Sequence, residues 1–223
     1  MEGNYFVRDT LSDRTADFIR RGILYLGNYK NGDHILEMEI SERLQVSRTT
    51  VREALKILET QGIVEITPRR GTYVAAFDHR DMVEILELRC MCETYIFNRL
   101  IDDQLLDRGD FFHLQRIIDE MVEGSRPLSE KRLEQSEAFT SKDLEFHGYL
   151  WQKSGCRLFC KVLSDNYYRL RLAMMQDMML EGNMERSATM HYDILDSLRK
   201  GDLDKARYHL REHILTLHSI KDL

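Results

Sequence analysis

Apolar positions along the first third of the chain recur at helical spacing and then switch period. From Ser12 to Leu26, the residues Ala16, Ile19, Ile23, Leu24 and Leu26 fall near one side of a first predicted helix. The segment "NYKNGD" interrupts it with turn residues, and a shorter helix fits Glu37 to Leu44. Ser47 is suited to cap a third helix, in which Val51, Ala54, Leu55 and Leu58 follow i, i+3, i+4, i+7 and form one buried stripe. After Gly62 the pattern alternates. "IVEI" predicts a strand, "TPRRG" a turn and "TYVA" a return strand, together a two-stranded wing. Helix, helix, helix and wing make a winged helix-turn-helix over residues 1–76.

"AAFDHRD", residues 75–81, reads as a linker. Beyond it every periodic stretch is helical, over 79–101, 104–124, 130–153, 156–181, 184–200 and 202–220, with the third and fourth spans open to a break, giving six or seven helices. "EGSRP" and "KGD" are the clearest breaks, and the last helix buries Leu203, Ala206, Leu210, Ile214 and Leu217. The expected fold is mainly α: the winged head, then an all-α helical bundle over residues 77–223.

Composition supports this reading and narrows the setting. Of 223 residues, 43% are hydrophobic, enough for a sizeable core, and the only prolines are Pro68 and Pro127, as long helices require. No run of about 18 apolar residues is present, and "MEGNYFVRDT" lacks the order of a secretory signal. Cys90/Cys92 and Cys156/Cys160 lack zinc-ribbon spacing and are expected to be reduced thiols. The expectation is a cytoplasmic protein without a membrane partner.

Charge sharpens the function of the head. The net charge is −6, yet Arg43 to Arg70 holds six basic against three acidic side chains. Arg48, Arg52 and Lys56 recur every four residues on a face other than the apolar stripe, with Thr49 beside them. Arg can take the two acceptors of guanine, Thr can meet a thymine methyl or a phosphate, and a helix N-terminus favours phosphate. Arg69 and Arg70 stand at the wing tip, where Gly71 lets the backbone bend or lie close to a sugar-phosphate strand. The partner these features suit is double-stranded DNA.

The run "VSRTTVREALKILETQGIVEITPRRGTYV" also resembles the DNA-binding signature of the GntR family of bacterial transcriptional regulators, over about residues 10–76. The resemblance implies operator contacts from Arg48, Thr49, Arg52, Arg70 and Gly71, with a phosphate contact from Ser47. The chain departs from the family pattern at Met38, where many members carry Arg, and at Thr50, where Pro is common.

The chemistry of the second part lies in its histidines. In "DLEFHGYLW", Asp143 and His147 are four apart and share a helical face with Leu150 and Trp151. His191 heads an apolar stripe of Ile194, Leu195 and Leu198, and His213 borders the buried side of the last helix, closer to it than His209. Buried imidazoles and carboxylates need partners, and one divalent cation would satisfy Asp143, His147, His191 and His213 together. Three nitrogens and one oxygen suit zinc first, and also nickel, manganese, iron or cobalt. Arg89 stands in register with Met82, Ile85, Leu86 and Ile96. It either pairs with Glu93, four residues on, or faces a cavity and binds a carboxylate effector. Arg169, Arg171 and the Met-rich "LAMMQDMML" are further candidates for the pocket wall.

Residues 79–220 resemble the all-helical FCD ligand-binding domain of the FadR-type branch of that family, through Asp143-x-x-x-His147, His191 before "YDILDSLRKGD", and "KARYHLREHI" with His213. The resemblance implies that these four residues are metal ligands, that a small organic acid is the effector, that the protein is a homodimer, and that it is a repressor rather than an enzyme. "SGC" stands where the family often has Ser-Gly-Asn, placing Cys156 at the cap of the next helix. The alternatives are a metal sensor, in which the cation is the signal, and a metal-dependent enzyme using the three-His, one-Asp group.

Overall fold

The computed structural model describes residues 10–126, 132–180 and 184–215. It divides into two compact units, Met1–Phe77 and Asp78–Leu223.

In the first unit, α1 (Leu11–Leu24) starts at Thr10, whose hydroxyl accepts from Asp13 N while the Asp13 carboxylate accepts from Thr10 N. Its buried side, Ala16 and Ile19, packs on α3 (Arg48–Thr60), which buries the expected stripe of Val51, Ala54, Leu55 and Leu58. Leu26 lies past the end of α1 and is exposed, contrary to expectation. α2 (Glu37–Leu44) ends at Gln45 in the left-handed conformation, which turns the chain toward α3.

β2 (Val64–Thr67) and β3 (Gly71–Val74) form the expected hairpin, antiparallel with Val64 opposite Val74 and Thr67 opposite Gly71. The wing nevertheless has three strands rather than two. β1 (His34–Ile35) pairs with the other edge of β3, in the order β1-β3-β2. Two residues are too few to show an alternating pattern, so this strand exists only through its partner.

The second unit is helical: α4 (His79–Asp102), α5 (Arg108–Gly124), α6 (Arg132–Lys153), α7 (Arg157–Asp165), α8 (Tyr167–Leu180), α9 (Met184–Lys200) and α10 (Leu203–Leu215). α5 begins later than residue 104 because Asp107 and Asp110 form a reciprocal cap. Of the two spans open to a break, 130–153 is continuous over its described residues and 156–181 is divided into two helices, since Asn166 turns its side-chain amide back onto the Val162 carbonyl at 2.9 Å. α10 packs on α4 and α9, α5 on α6 and α9, and α8 on α4 and α6, so α4, α6, α9 and α10 surround one interior. Leu217, residues 216–220 of the expected last helix, and residues 130, 131 and 181 lie outside the described residues, as do the side chains of residues 175–180 in the Met-rich segment. No helix among the described residues is long and apolar enough to cross a membrane.

Candidate metal centre and nucleic-acid interface

On the head, burial of the α3 stripe leaves Arg48, Thr49, Arg52 and Lys56 exposed together. The Ser47 hydroxyl caps α3 by accepting from Thr50 N at 3.0 Å and lies 2.8 Å from the Thr50 hydroxyl. Thr50 thus has a capping role that Pro, lacking both groups, could not fill. Arg52 is held by the Glu37 carboxylate at 2.8 and 3.1 Å. This exposed pair contributes little to stability. Met38 is also exposed.

At the wing tip Arg69 and Arg70 are exposed, and Tyr73 donates to the Arg70 carbonyl at 3.0 Å. Gly71 has φ +113° and needs glycine for a second reason. A Cβ there would run into the ring of His34, which stacks on Tyr73 with centroids 4.8 Å apart. The close approach is to this ring, within the head itself.

In the helical unit, Asp143 and His147 on α6, His191 on α9 and His213 on α10 are all buried, with one potential ligand atom of each within 4.8 Å of the others. His209, one turn before His213, lies outside the group, with its ring against Tyr208. Asp143 Oδ1 is the focus, with His213 Nε2 at 3.0 Å, His191 Nε2 at 3.2 Å and His147 Nε2 at 4.0 Å. Ligands around one cation at bonds of about 2.1 Å stand roughly 3.0–3.4 Å apart for octahedral and tetrahedral angles, so this spacing is close to that of a shared ion.

The outer nitrogens decide what the inner ones can do. His147 Nδ1 faces the Glu93 carboxylate, and His191 Nδ1 lies 3.0 Å from the Ser187 carbonyl and 3.2 Å from that of Ala188. Carboxylate and carbonyl oxygens only accept, so both Nδ1 atoms carry the hydrogen, and in the neutral form of each ring Nε2 presents a lone pair. Neither Nε2 has a hydrogen-bond partner, although both are fully buried. Two lone-pair nitrogens directed at a carboxylate repel one another and the oxygen unless a cation lies among them. Burial lowers the His147 pKa, and burial with the neighbouring His191 pushes His213 down to about 3, so both rings favour the neutral form, in which a nitrogen lone pair is free to bind. The donor set therefore fits a divalent cation.

Arg89 and Glu93 brace this group from α4. Arg89, 1% exposed, donates from Nε to Glu93 Oε1 at 2.7 Å, from Nη2 to Asp143 Oδ2 at 2.8 Å, and from Nη1 to Met174 Sδ at 3.3 Å. Of the two alternatives for Arg89, the structure shows the pair with Glu93, and the same guanidinium also reaches across the interior to the Asp143 carboxylate. Burial alone would raise both carboxyl pKa values. His147 and Arg89 instead hold Glu93 at about 2, and Arg89 leads the contacts that hold Asp143 well below the ordinary range. Arg169 is exposed, and Arg171 reaches the Tyr167 hydroxyl at 3.4 Å. Sequence reasoning missed Glu93 as a support for a histidine. The available signal was a second charge, four residues from Arg89, on an apolar helix face.

An open groove of about 710 Å³ beside Leu106, Phe111 and Phe112 shares no residue with the histidine group. The four cysteines are free, Cys90 and Cys92 buried and the other two half-buried, and Cys156 occupies the cap position of α7 without a side-chain cap bond.

Comparison with known proteins agrees with both halves. A family model described as "Bacterial regulatory proteins, gntR family" matches residues 11–74, and one described as "FCD domain" matches residues 84–216. The HTH-type transcriptional regulator YcbG of Bacillus subtilis (strain 168) is 27% identical over 225 residues, covering 93% of this chain and 88% of the relative. The gluconate operon transcriptional repressor of the same organism is 36% identical over 75 residues, 34% of this chain and 30% of the relative. The chain spans about a third of the length of the relatives it matches over the head alone. Among solved structures, E. coli McbR/YncC has a TM-score of 0.72 at 18% identity, covering 95% of this chain and 96% of that one, which marks a shared fold.

Proposed function

The chain belongs to the GntR family of bacterial transcriptional regulators, with an FCD domain as its helical half, and on that premise we propose that it is a repressor whose operator affinity is set by a small carboxylate bound at a divalent metal. Members of this family are regulators that bind operator DNA, not enzymes, so the histidine group is read as a sensor. The observation that carries the proposal is the pair of buried, partnerless Nε2 atoms on His147 and His191, converging with His213 on one oxygen of Asp143. Asp143, His147, His191 and His213 would hold the ion, most simply zinc, with nickel, manganese, iron or cobalt also compatible.

Charge supports an anionic effector. Asp143 and Glu93 against Arg89, with neutral imidazoles, leave the interior one unit negative. A divalent cation makes it one unit positive, and a monocarboxylate neutralises it. Bound at the metal, the acid would lie near Arg89, whose two Nη atoms each carry a second hydrogen for it. Arg48, Thr49, Arg52, Arg70 and Gly71, with Ser47 on a phosphate, would face the operator, and two copies in a homodimer would present two recognition helices to a pseudo-palindrome. An effector that binds the DNA-free arrangement more tightly than the DNA-bound one releases the operator by linkage.

One observation favours a second reading, in which the cation itself is the signal: every Arg89 nitrogen already meets a protein group. Elemental analysis of the purified protein, then operator binding with chelator or with carboxylic acids at fixed metal, separates the two. Release by acids at constant metal supports the effector reading, and release by chelator alone supports the metal sensor. Stoichiometric metal in a His147→Ala/His191→Ala variant would overturn both.

A further inference from the structure

We infer that the outer face formed by α4 and α7 is where two copies of this chain join, α4 of each lying against α7 of the other. This rests on the homodimer reading above and assigns it a surface.

On α4, Leu88, Met91 and Tyr95 recur at i, i+3, i+7 on the side opposite the buried Arg89, Glu93 and Ile96. Leu88 is half-buried, while Met91 is 66% and Tyr95 45% exposed. On α7, Leu158 and Val162, four apart, are 79% and 39% exposed, while Leu163 faces the core. The two apolar stripes meet where the Tyr95 ring stacks on Phe159, centroids 4.3 Å apart and planes within 10°. α7 is therefore apolar on two sides, and its own core accounts for one. Methionine and aromatic residues in one continuous patch have the composition of the centre of a protein–protein contact.

Charge selects a second copy as the occupant. The α4 stripe is bordered by Glu84 and Glu87, and the α7 stripe by Arg157 and Lys161. Glu84 is engaged by Arg80, and Lys161 by Asp165, both as exposed pairs. Glu87 and Arg157 form no ion pair among the described residues. A face with an acidic border on one helix and a basic border on the other complements itself under a two-fold axis, as an isologous dimer requires.

The test is molecular mass in solution by light scattering across a dilution series of the full chain. The wild type should show the two-chain mass at about 10 μM, while Met91→Glu and Leu158→Glu, each placing two like charges at the contact, should weaken association on the order of 100-fold. Phe112→Glu, exposed but off this face, should leave it unchanged. Glu87→Arg and Arg157→Glu should each weaken association, and their combination should restore it. Unaltered helical circular dichroism in the variants, with Leu158→Ser as a milder substitute, separates dissociation from unfolding. A wild type of one-chain mass overturns the homodimer reading and this inference together. A two-chain wild type with undiminished association in Met91→Glu and Leu158→Glu overturns the face alone, and failure of the charge swap to restore association overturns the α4-to-α7 arrangement.

Discussion

Glu93 on α4 and His147 on α6, 54 residues apart, meet in a buried hydrogen bond between a carboxylate oxygen and Nδ1. Through it, α4 sets the tautomer of a histidine on another helix and turns its Nε2 lone pair inward. Arg89 closes the circuit by holding both Glu93 and Asp143, so one arginine braces both α6 members of the group.

Glu93→Gln keeps the shape and removes the charge that orients His147. Metal affinity is expected to fall about 10- to 100-fold, the usual cost of losing a partner behind a metal-bound histidine. Competition against a chromophoric chelator measures it, and unchanged affinity would mean that Glu93 only fills space.

At the DNA face, Arg48→Ala should weaken specific operator binding by about 1–3 kcal/mol. Arg52 must first leave Glu37, an exposed pair of roughly 0–1 kcal/mol. Glu37→Gln should therefore tighten binding a few-fold at low salt, and Arg52→Ala should cancel the gain. Fluorescence anisotropy over a salt series reads both.

Gly71→Ala combines a left-handed backbone with a collision against the His34 ring. The expected loss of head stability is about 1–3 kcal/mol. Adding His34→Ala should recover the collision and leave the backbone strain. Thermal melts of the three variants check this, and full recovery in the double variant would remove the strain argument.

Asp110 is buried, yet its carboxyl pKa lies below the ordinary value. Burial would raise it, but hydrogen bonds from Lys153, Tyr149 and the Asp107 N–H outweigh burial. A depressed folded pKa means stability fully present above the unfolded value of about 4 and lost as pH falls through the folded one. Asp110→Asn should lower the melting temperature near pH 7, by about 1–2 kcal/mol of stability, and flatten the acid side of the curve below pH ~4. Melting across that range decides it.

What the sequence determined by itself was whatever a helix or hairpin expresses locally. The α3 stripe and its basic face, the β2–β3 hairpin, the i, i+4 step from Asp143 to His147 and the inward side of His213 all follow from periodicity, because neighbouring side chains on one element share a face whatever surrounds them. Other features needed the tertiary structure. β1 is a strand only against β3. Arg52 meets Glu37 from a different helix, and Glu93 reaches His147 only because α4 packs beside α6. Each joins groups far apart in the chain, and its energy depends on desolvation and angle across an interface, which no spacing within a single helix encodes.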